Sequence, residues 1–389
     1  MTNWARHALR LARAYLSRDP TYLILFVTAR CNCRCKMCFA RPVSDETARA
    51  SELSLGEIEK MTRKLRYLPQ LTLGGGEPTL RDDLPEIIGA FYRNAGTRYI
   101  TLPTNGSFPG KTEEIVSRVL RELPQLNLNL SLSVDALEEK HDEIRRLPGV
   151  FNNVIETHDR LVSLRKNLPG LSVTINTVLS SYNADCIEDV LKFVGSRLQA
   201  DAFGFALVRG ITREREARDV SADQYRHARH ALKHVLTKRA APVVSSPFPT
   251  IQRRLSKAIM GVVERSAAGE RPYFHCVAGA RLVVVNEVGE VYPCELLPAI
   301  MREGGMAQIE SCELGRLRDS DYDLLKIVRS KRARAVRKAI RNGRCSCSWE
   351  CAIYASLLYS PRAWRYLLFA PTERGEQDNR VAHRLDQER

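Results

Sequence analysis

The sequence predicts an α/β fold, a partial (β/α)6 barrel followed by a small carboxy-terminal α+β unit. Three observations carry that prediction. Strand-like and helix-like patterns alternate through residues 22–210, which calls for a parallel sheet with helical crossovers of one hand. The run YLILFVT at 22–28 is apolar throughout, as a parallel strand covered on both faces must be. Two later strands, LNLNLSLSVDA at 126–136 and LSVTINTV at 171–178, instead alternate apolar with polar residues. In a barrel one strand face meets the helices and the other lines the interior. A packed barrel fills that interior with branched apolar side chains, so a polar interior points to a ligand inside.

The elements follow in order. After the first strand, LSLGEIEKMTRKLRYL reads as a helix with a capping box at Ser54 and Glu57 and an apolar face of Leu55, Ile58, Met61 and Leu65. QLTLGGGEP is a strand ending in glycines, and DDLPEIIGAFYRNAG is a helix with a stripe of Leu84, Ile87, Ile88 and Phe91 and a stop at Gly96. RYITLPTNG is the third strand and KTEEIVSRVLREL its helix. The two polar-faced strands come next, then the helix CIEDVLKFVGSRL and the strand DAFGFALVRG. Residues 213–274 read as helical connection, and RLVVVNEVGEVY as a hairpin turning at NEVG. The predicted organisation is an amphipathic helix at 1–20, a core at 21–212, the connection at 213–274, a cysteine-bearing unit at 275–360 and a charged, fraying tail at 361–389.

Composition bounds the function. An apolar share of 44% and a charged share of 27% are ordinary for a globular chain, and no apolar run reaches the length of a membrane span. The arginine-interrupted start lacks a signal-peptide core, so a cytoplasmic location is expected. There, eleven cysteines stay reduced and do not form structural disulfides. Clustered ones suggest metal, while the isolated Cys186 and Cys312 read as small core residues. Net charge is +15, concentrated in VRSKRARAVRKAIRNGR at 328–344. Without interleaved aromatics this reads as a solvated helix face, and no nucleic-acid partner is expected. Trp4, Leu9, Leu11 and Tyr15, and the late PRAWRYLLFAP, offer only weak peripheral membrane contact; packing against the barrel explains both better.

CNCRCKMC at 31–38 packs four cysteines into eight positions. Cys31, Cys35 and Cys38 make a C-x3-C-x2-C loop, with Cys33 inside it. Three thiolates on one loop hold three corners of a cubane cluster and leave the fourth iron open. A structural zinc prefers four ligands in paired short spacings, and a two-cluster ferredoxin run needs a fourth cysteine followed by proline. Spacing alone leaves cluster and zinc level. The setting decides: the loop follows the first strand, where loops at the carboxyl ends of strands build active sites, and GGGEP at 74–78 ends the neighbouring strand. Glycines there let backbone groups approach a ligand, and Glu77 adds negative charge.

At these residues the chain resembles the radical S-adenosylmethionine (radical SAM) superfamily. The matching features are CNCRCKMCF, GGGEP, PTNG at 103–106, SLSVDA at 131–136 and HDEIRRLPGVF at 141–151. The resemblance implies the TIM-like partial barrel of that family and a [4Fe–4S] cluster on Cys31, Cys35 and Cys38. Its unique iron would bind S-adenosylmethionine, whose one-electron cleavage yields methionine and a 5′-deoxyadenosyl radical that abstracts hydrogen. It implies that Phe39 flanks the adenine, that Gly74, Gly75, Gly76 and Glu77 receive the methionyl amine, and that Ser133 and Asp135 take ribose and carboxylate. Asn176 and Arg145 are weaker candidates for polar ends of the cofactor, and Arg145 is also suited simply to pair with nearby acids. Cys33 is a bystander.

Cys276 and Cys294 flank the hairpin, so folding it brings them together, and Cys345, Cys347 and Cys351 follow in CSCSWEC. This resembles the twitch or SPASM extension of the same superfamily, whose signature is met by Cys276, Gly289 and Cys294. One auxiliary [4Fe–4S] cluster is implied, completed by two of Cys345, Cys347 and Cys351; the alternative is a structural zinc site. The resemblance further implies an oxidoreductase-type enzyme, reduced by a donor such as flavodoxin or ferredoxin, acting on a peptide or protein being matured. The alternatives are the same chemistry on a carbohydrate or lipid-precursor small molecule, or a non-catalytic iron–sulfur electron carrier or zinc-binding protein. No further catalytic residue is assigned.

Overall fold

A computed structural model describes residues 3–40, 51–238, 249–270, 274–304, 309–342 and 347–369. In chain order its principal elements are α1 (Asn3–Leu16), β1 (Tyr22–Thr28), α2 (Leu55–Lys64), β2 (Gln70–Gly75), α3 (Leu84–Asn94), β3 (Tyr99–Thr104), α4 (Pro109–Glu122) and β4 (Asn127–Ser133). Then come α5 (Glu138–Arg145), α6 (Val150–Arg165), β5 (Leu171–Leu179), α7 (Ile187–Arg197), β6 (Ala202–Leu207), α8 (Ala222–Lys238) and α9 (Pro249–Ala267). The remainder comprises β7 (Leu282–Val285), β8 (Glu290–Tyr292), α10 (Leu297–Arg302), β9 (Gly315–Arg316), α11 (Leu324–Val328), α12 (Lys331–Asn342), α13 (Glu350–Leu358) and α14 (Pro361–Phe369).

Each predicted strand of the core forms, and β1 to β6 pair in parallel with their sequence neighbours. All six therefore deliver their carboxyl ends to one edge of the sheet. The alternation of β4 resolves as expected: Leu128, Leu130 and Leu132 are fully buried, whereas Asn129, Ser131 and Ser133 are only partly covered on the opposite face. Polar side chains of that face bond across strands, Asn129 Oδ1 accepting from Ser172 Oγ at 3.2 Å and Thr174 Oγ1 at 2.8 Å. The capping box of α2 is present, with Ser54 and Glu57 each serving the other's backbone.

The hairpin joins the core sheet rather than standing apart. β7 pairs in parallel with the free edge of β1, Tyr22 opposite Leu282 through Leu25 opposite Val285, giving the nine-stranded order β6-β5-β4-β3-β2-β1-β7-β8-β9. The sheet is not closed. The all-apolar β7 needed cover on both faces, and an unpaired β1 edge offered its hydrogen bonds. The turn falls at NEVG, where Gly289 takes φ +87° and its N–H bonds Asn286 O at 3.0 Å; a side chain there would be strained. One hydrophobic cluster runs from Leu23 through Val283 to Trp349 without a break.

The basic run forms α12, whose Ala333, Val336, Ala339 and Ile340 are buried under an otherwise charged surface. The segment assigned to the tail begins with a helix, α14, because Ala363 packs inward and Trp364 Nε1 donates to Leu358 O at 2.7 Å. Residues 370–389 and Cys345 lie outside the described residues. Among the described residues, no helix is long and apolar enough to cross a membrane.

Candidate active site

The cysteine loop leaves β1 between two anchors. On one side Glu52 Oε1 accepts from Thr28 Oγ1 at 2.6 Å and Ala29 N at 3.0 Å. On the other, Arg34 N and Lys36 N donate to Arg145 O and Ile144 O at the end of α5, at 3.1 and 2.9 Å. A turn from Cys38 N to Cys35 O at 3.2 Å shapes the middle.

The glycines of β2 are packed against that loop by backbone contact. Gly76 N donates to Thr28 O at 2.8 Å and Glu77 N to Arg30 O at 2.7 Å. Gly75 has φ +124°, and a Cβ on it would lie 2.2 Å from Thr28 O. These glycines are therefore required by chain crossing as well as by any ligand. Gly74 is less constrained, since its Cβ would meet only the Phe26 ring at 3.7 Å.

Glu77 differs from the expectation of an available charge beside the glycines. It is 1% exposed. Its carboxylate accepts from Thr79 N, Thr79 Oγ1, Thr104 Oγ1 and Asn105 N at 3.1, 2.6, 2.8 and 2.8 Å. Burial pushes its pKa up against those donors. It acts as a hub tying the β2 turn to the end of β3.

Asn105, in the PTNG motif, extends the tie to the cysteines: its Nδ2 donates to Asn32 Oδ1 at 2.8 Å and approaches Cys33 Sγ at 3.3 Å. Sequence reading quoted the motif without giving Asn105 a role. Cys33 is buried between its neighbours, and its thiol hydrogen-bonds to those of Cys31 and Cys35. The Cys33 bond lowers the Cys31 pKa and brings Cys35 to about 7, with the Arg145 guanidinium assisting at Cys35; burial and these bonds push Cys33 upward. Cys38 and Phe39 are half-buried, and Phe39 lies against Gly210 in the loop after β6.

Asp135 and Arg145 are each other's partners, the pairing with a nearby acid that the sequence offered for Arg145 beside a cofactor contact. Asp135 is fully buried; its Oδ2 accepts from Arg145 Nε at 3.0 Å and from Nη2, and its Oδ1 accepts from Val178 N at 2.9 Å. Asp135 N in turn donates to His141 Nδ1 at 3.2 Å. Burial keeps that imidazole neutral by holding its pKa well below the usual range. The pair positions the cysteine loop, because Arg145 supplies both its carbonyl to Arg34 and its charge to Cys35.

Ser133 and Asn176 sit opposite one another in register on the polar face. Gly204 of β6 makes room for Asn176, since a Cβ there would lie 2.4 Å from Asn176 Oδ1. Sequence reading passed over Gly204; a lone glycine within a strand was its signal.

Among the second group of cysteines, Cys351 lies on α13 and Cys347 just before it, while Cys276 adjoins its Ser356. Val277 N donates to Ser356 Oγ at 3.2 Å beside Cys276, Leu297 N to Cys294 Sγ at 3.3 Å, and Tyr22 OH to Cys351 Sγ at 3.5 Å. Cys347 packs in the same core. Burial pushes the Cys351 thiol up to about 12. Cys186 is half-buried and Cys312 buried. Arg209, just beyond β6, bonds Glu350 at 2.5 Å with Glu295 at 4.0 Å, tying the sheet's far end to this group. Among the described residues, no three His, Cys, Asp or Glu side chains are gathered tightly enough to hold a single metal ion.

A parallel strand–helix core with a three-thiol loop at the carboxyl end of β1 defines a class, and comparison with known proteins names it. Residues 25–194 match the radical SAM superfamily profile. The AdoMet-dependent heme synthase of Methanosarcina barkeri is 28% identical over 318 residues, covering 79% of this chain and 87% of that protein. The GTP 3′,8-cyclase of Synechococcus elongatus is 30% identical over 182 residues, covering 46% of this chain and 53% of that protein. Streptococcus suis SuiB, solved with S-adenosylmethionine, superposes with a TM-score of 0.55 at 16% identity over 85% of this chain and 70% of its own. Residues 25–194 are thus a radical SAM domain, of a superfamily whose members are enzymes that use a [4Fe–4S] cluster with S-adenosylmethionine. Its donor set fits that group: soft thiols on one loop, two of them with lowered pKa, beside a partly covered polar strand face.

Proposed function

We propose that this enzyme reductively cleaves S-adenosylmethionine and abstracts hydrogen from a small-molecule substrate. The carrying observation is the Cys31–Cys38 loop stitched to the β2 turn at the mouth of a polar-faced sheet. When bound, the cluster and S-adenosylmethionine supply a 5′-deoxyadenosyl radical by one-electron cleavage of the sulfonium. In this reading Cys31, Cys35 and Cys38 hold the cluster and Cys33 braces the loop without ligating. Phe39 and the Gly74–Gly76 backbone border the cofactor, Ser133 and Asn176 offer it hydrogen bonds, and Glu77, Asp135 and Arg145 act as positioning residues. The surrounding walls keep water and stray hydrogen donors away from a reactive species.

Both substrate classes expected from the sequence have support. The small-molecule class is favoured by the relative named as a heme synthase, which aligns over most of this chain. The peptide class has a structural neighbour, SuiB, solved with its precursor peptide SuiA, a likeness of fold. We also propose residues 275–360 as an auxiliary-cluster unit, with Cys276 and Cys294 joined by two of Cys345, Cys347 and Cys351. A donor such as flavodoxin or ferredoxin fits the need for single electrons.

The test is anaerobic reconstitution followed by S-adenosylmethionine and dithionite. About eight irons per chain are expected if both clusters form, with 5′-deoxyadenosine released. Replacing Cys31, Cys35 and Cys38 with alanine should abolish that release; its persistence in the triple variant would overturn the assignment.

A further inference from the structure

Arg213 carries a buried guanidinium that the chain leaves unused. Its Nε and Nη2 are enclosed and have no hydrogen-bond partner among the described residues. Such donors cost free energy when buried unpaired. The same residue lines a cleft of about 450 Å³, together with Ile211, Thr212, Arg215, Arg218 and Glu303. Three positive charges thus face one negative charge. That one acid is already taken, for Glu303 Oε1 accepts from Arg218 Nη1 at 2.6 Å. Neither Arg213 nor Arg215 has an acidic partner among the described residues. The nearby Glu214 is also spent, on Arg146 and Tyr182.

The cleft backs onto the proposed reaction centre. Arg213 N donates to Cys38 O at 3.0 Å and Glu214 N to Lys36 O at 2.9 Å, and Gly210 abuts Phe39. The loop after β6 is therefore bonded to the cysteine loop, while Glu303, just beyond α10, also lines the cleft. Whatever binds there sits between the sheet's mouth and the carboxy-terminal region.

We propose that this cleft is a substrate subsite that binds an oxyanion, a carboxylate or phosphate carried by the substrate, on Arg213 and Arg215. The proposal rests on the reading of this enzyme as acting on a small molecule, and adds that the molecule is anionic. A planar guanidinium presents a donor fork that matches either oxyanion, and the bonds are charge-assisted. An incoming anion offsets the local excess of positive charge, and a small turn of the Arg213 side chain toward it would give the unpaired donors a partner. It also fixes one end of the substrate, as positioning requires.

The test uses anaerobically reconstituted holoenzyme and isothermal titration calorimetry with two probes, inorganic pyrophosphate and citrate. Saturable binding of at least one is expected. Arg213→Gln with Arg215→Gln should weaken it about tenfold or more, whereas Arg118→Gln, far away on α4, should not change it. Because Arg213 is partly enclosed, the exposed Arg215→Gln is tested alone as well, and Arg213→Lys should retain part of the affinity. Pyrophosphate binding alone assigns a phosphate, citrate alone a carboxylate, and both a general oxyanion site. Absence of saturable binding, or binding unchanged in the double variant, overturns the proposal. Deoxyadenosine formation is measured in parallel. Probe binding without cleavage defeats the proposed activity and spares the subsite; cleavage without probe binding does the reverse.

Discussion

Replacing Gly76 with alanine should damage both stability and activity, and the structure sets the size of the effect. An added Cβ would stand 2.0 Å from Arg30 O and 2.5 Å from Arg30 C. Both are backbone atoms, so no side chain can swing clear. Real Cβ contacts essentially never fall under 3.0 Å, so the β2 turn must retreat from the cysteine loop by about an ångström. The bonds Gly76 N to Thr28 O, 2.8 Å, and Glu77 N to Arg30 O, 2.7 Å, would then stretch past hydrogen-bonding range. Two lost backbone bonds at about 1 kcal/mol each, plus overpacking of about 1–3 kcal/mol, give a destabilisation of about 3–5 kcal/mol. A misplacement of that size between loop and turn is worth about a hundredfold in rate. Guanidinium denaturation under argon reads the first quantity, and 5′-deoxyadenosine formation by the reconstituted protein reads the second. Gly56→Ala is the control: its Cβ would meet nothing within 4 Å, and at a helical position it should be neutral or stabilising by up to about 1 kcal/mol. A Gly76→Ala protein with the wild-type midpoint and rate would refute the claim that backbone crossing at this point holds the site together.

Three further outcomes follow from the same geometry. Arg145→Met should leave Asp135 buried without its counter-charge, cost about 3–5 kcal/mol, and lower iron retention, measured by denaturation and iron assay. Glu57, hydrogen-bonded by Arg318 with help from Ser54 and Tyr322, has its pKa lowered to about 2. Its stabilising effect is full above the unfolded carboxylate pKa and fades as pH falls from about 4.5 toward 2. Because the pair is largely solvent-exposed, the gain is about 1 kcal/mol. Glu57→Gln should show that deficit at pH 7 and a deficit that shrinks steadily as pH falls toward 2. Cys276→Ala with Cys294→Ala should remove about four irons per chain while sparing part of the deoxyadenosine yield; unchanged iron would remove the auxiliary cluster.

Much of the core was legible because local pattern and tertiary role agree. An uninterrupted apolar run such as Tyr22–Thr28 has to be a buried parallel strand, and a two-residue period such as 126–134 has to split into a helix-facing and an open face. The capping box at Ser54 and Glu57 and the turn at Gly289 are determined within four residues, so no distant contact was needed to find them. Residues 343–346, with Cys345, and the tail beyond 369 lie outside what the structure describes.

The site residues divide on the same principle. Cys31, Cys35 and Cys38 could be read from the chain because their spacing is local and the thiol is a rare donor. How Glu77, Asp135 and Arg145 are held could not be read from the chain, since whether a carboxylate is open to a ligand depends on which donors reach it from other elements. Thr104 and Asn105 reach Glu77 from β3, and Arg145 reaches Asp135 from α5. Likewise nothing in the pattern showed that β7 would take the open edge of β1, or that the loop after β6 would bring Arg213 against Cys38. The sequence by itself determined the strands, the helices and the thiol loop, because these depend on period and spacing over a few residues. Only the tertiary structure decided which charges are spent on each other and which remain for a ligand, because pairing is settled by three-dimensional proximity between distant segments.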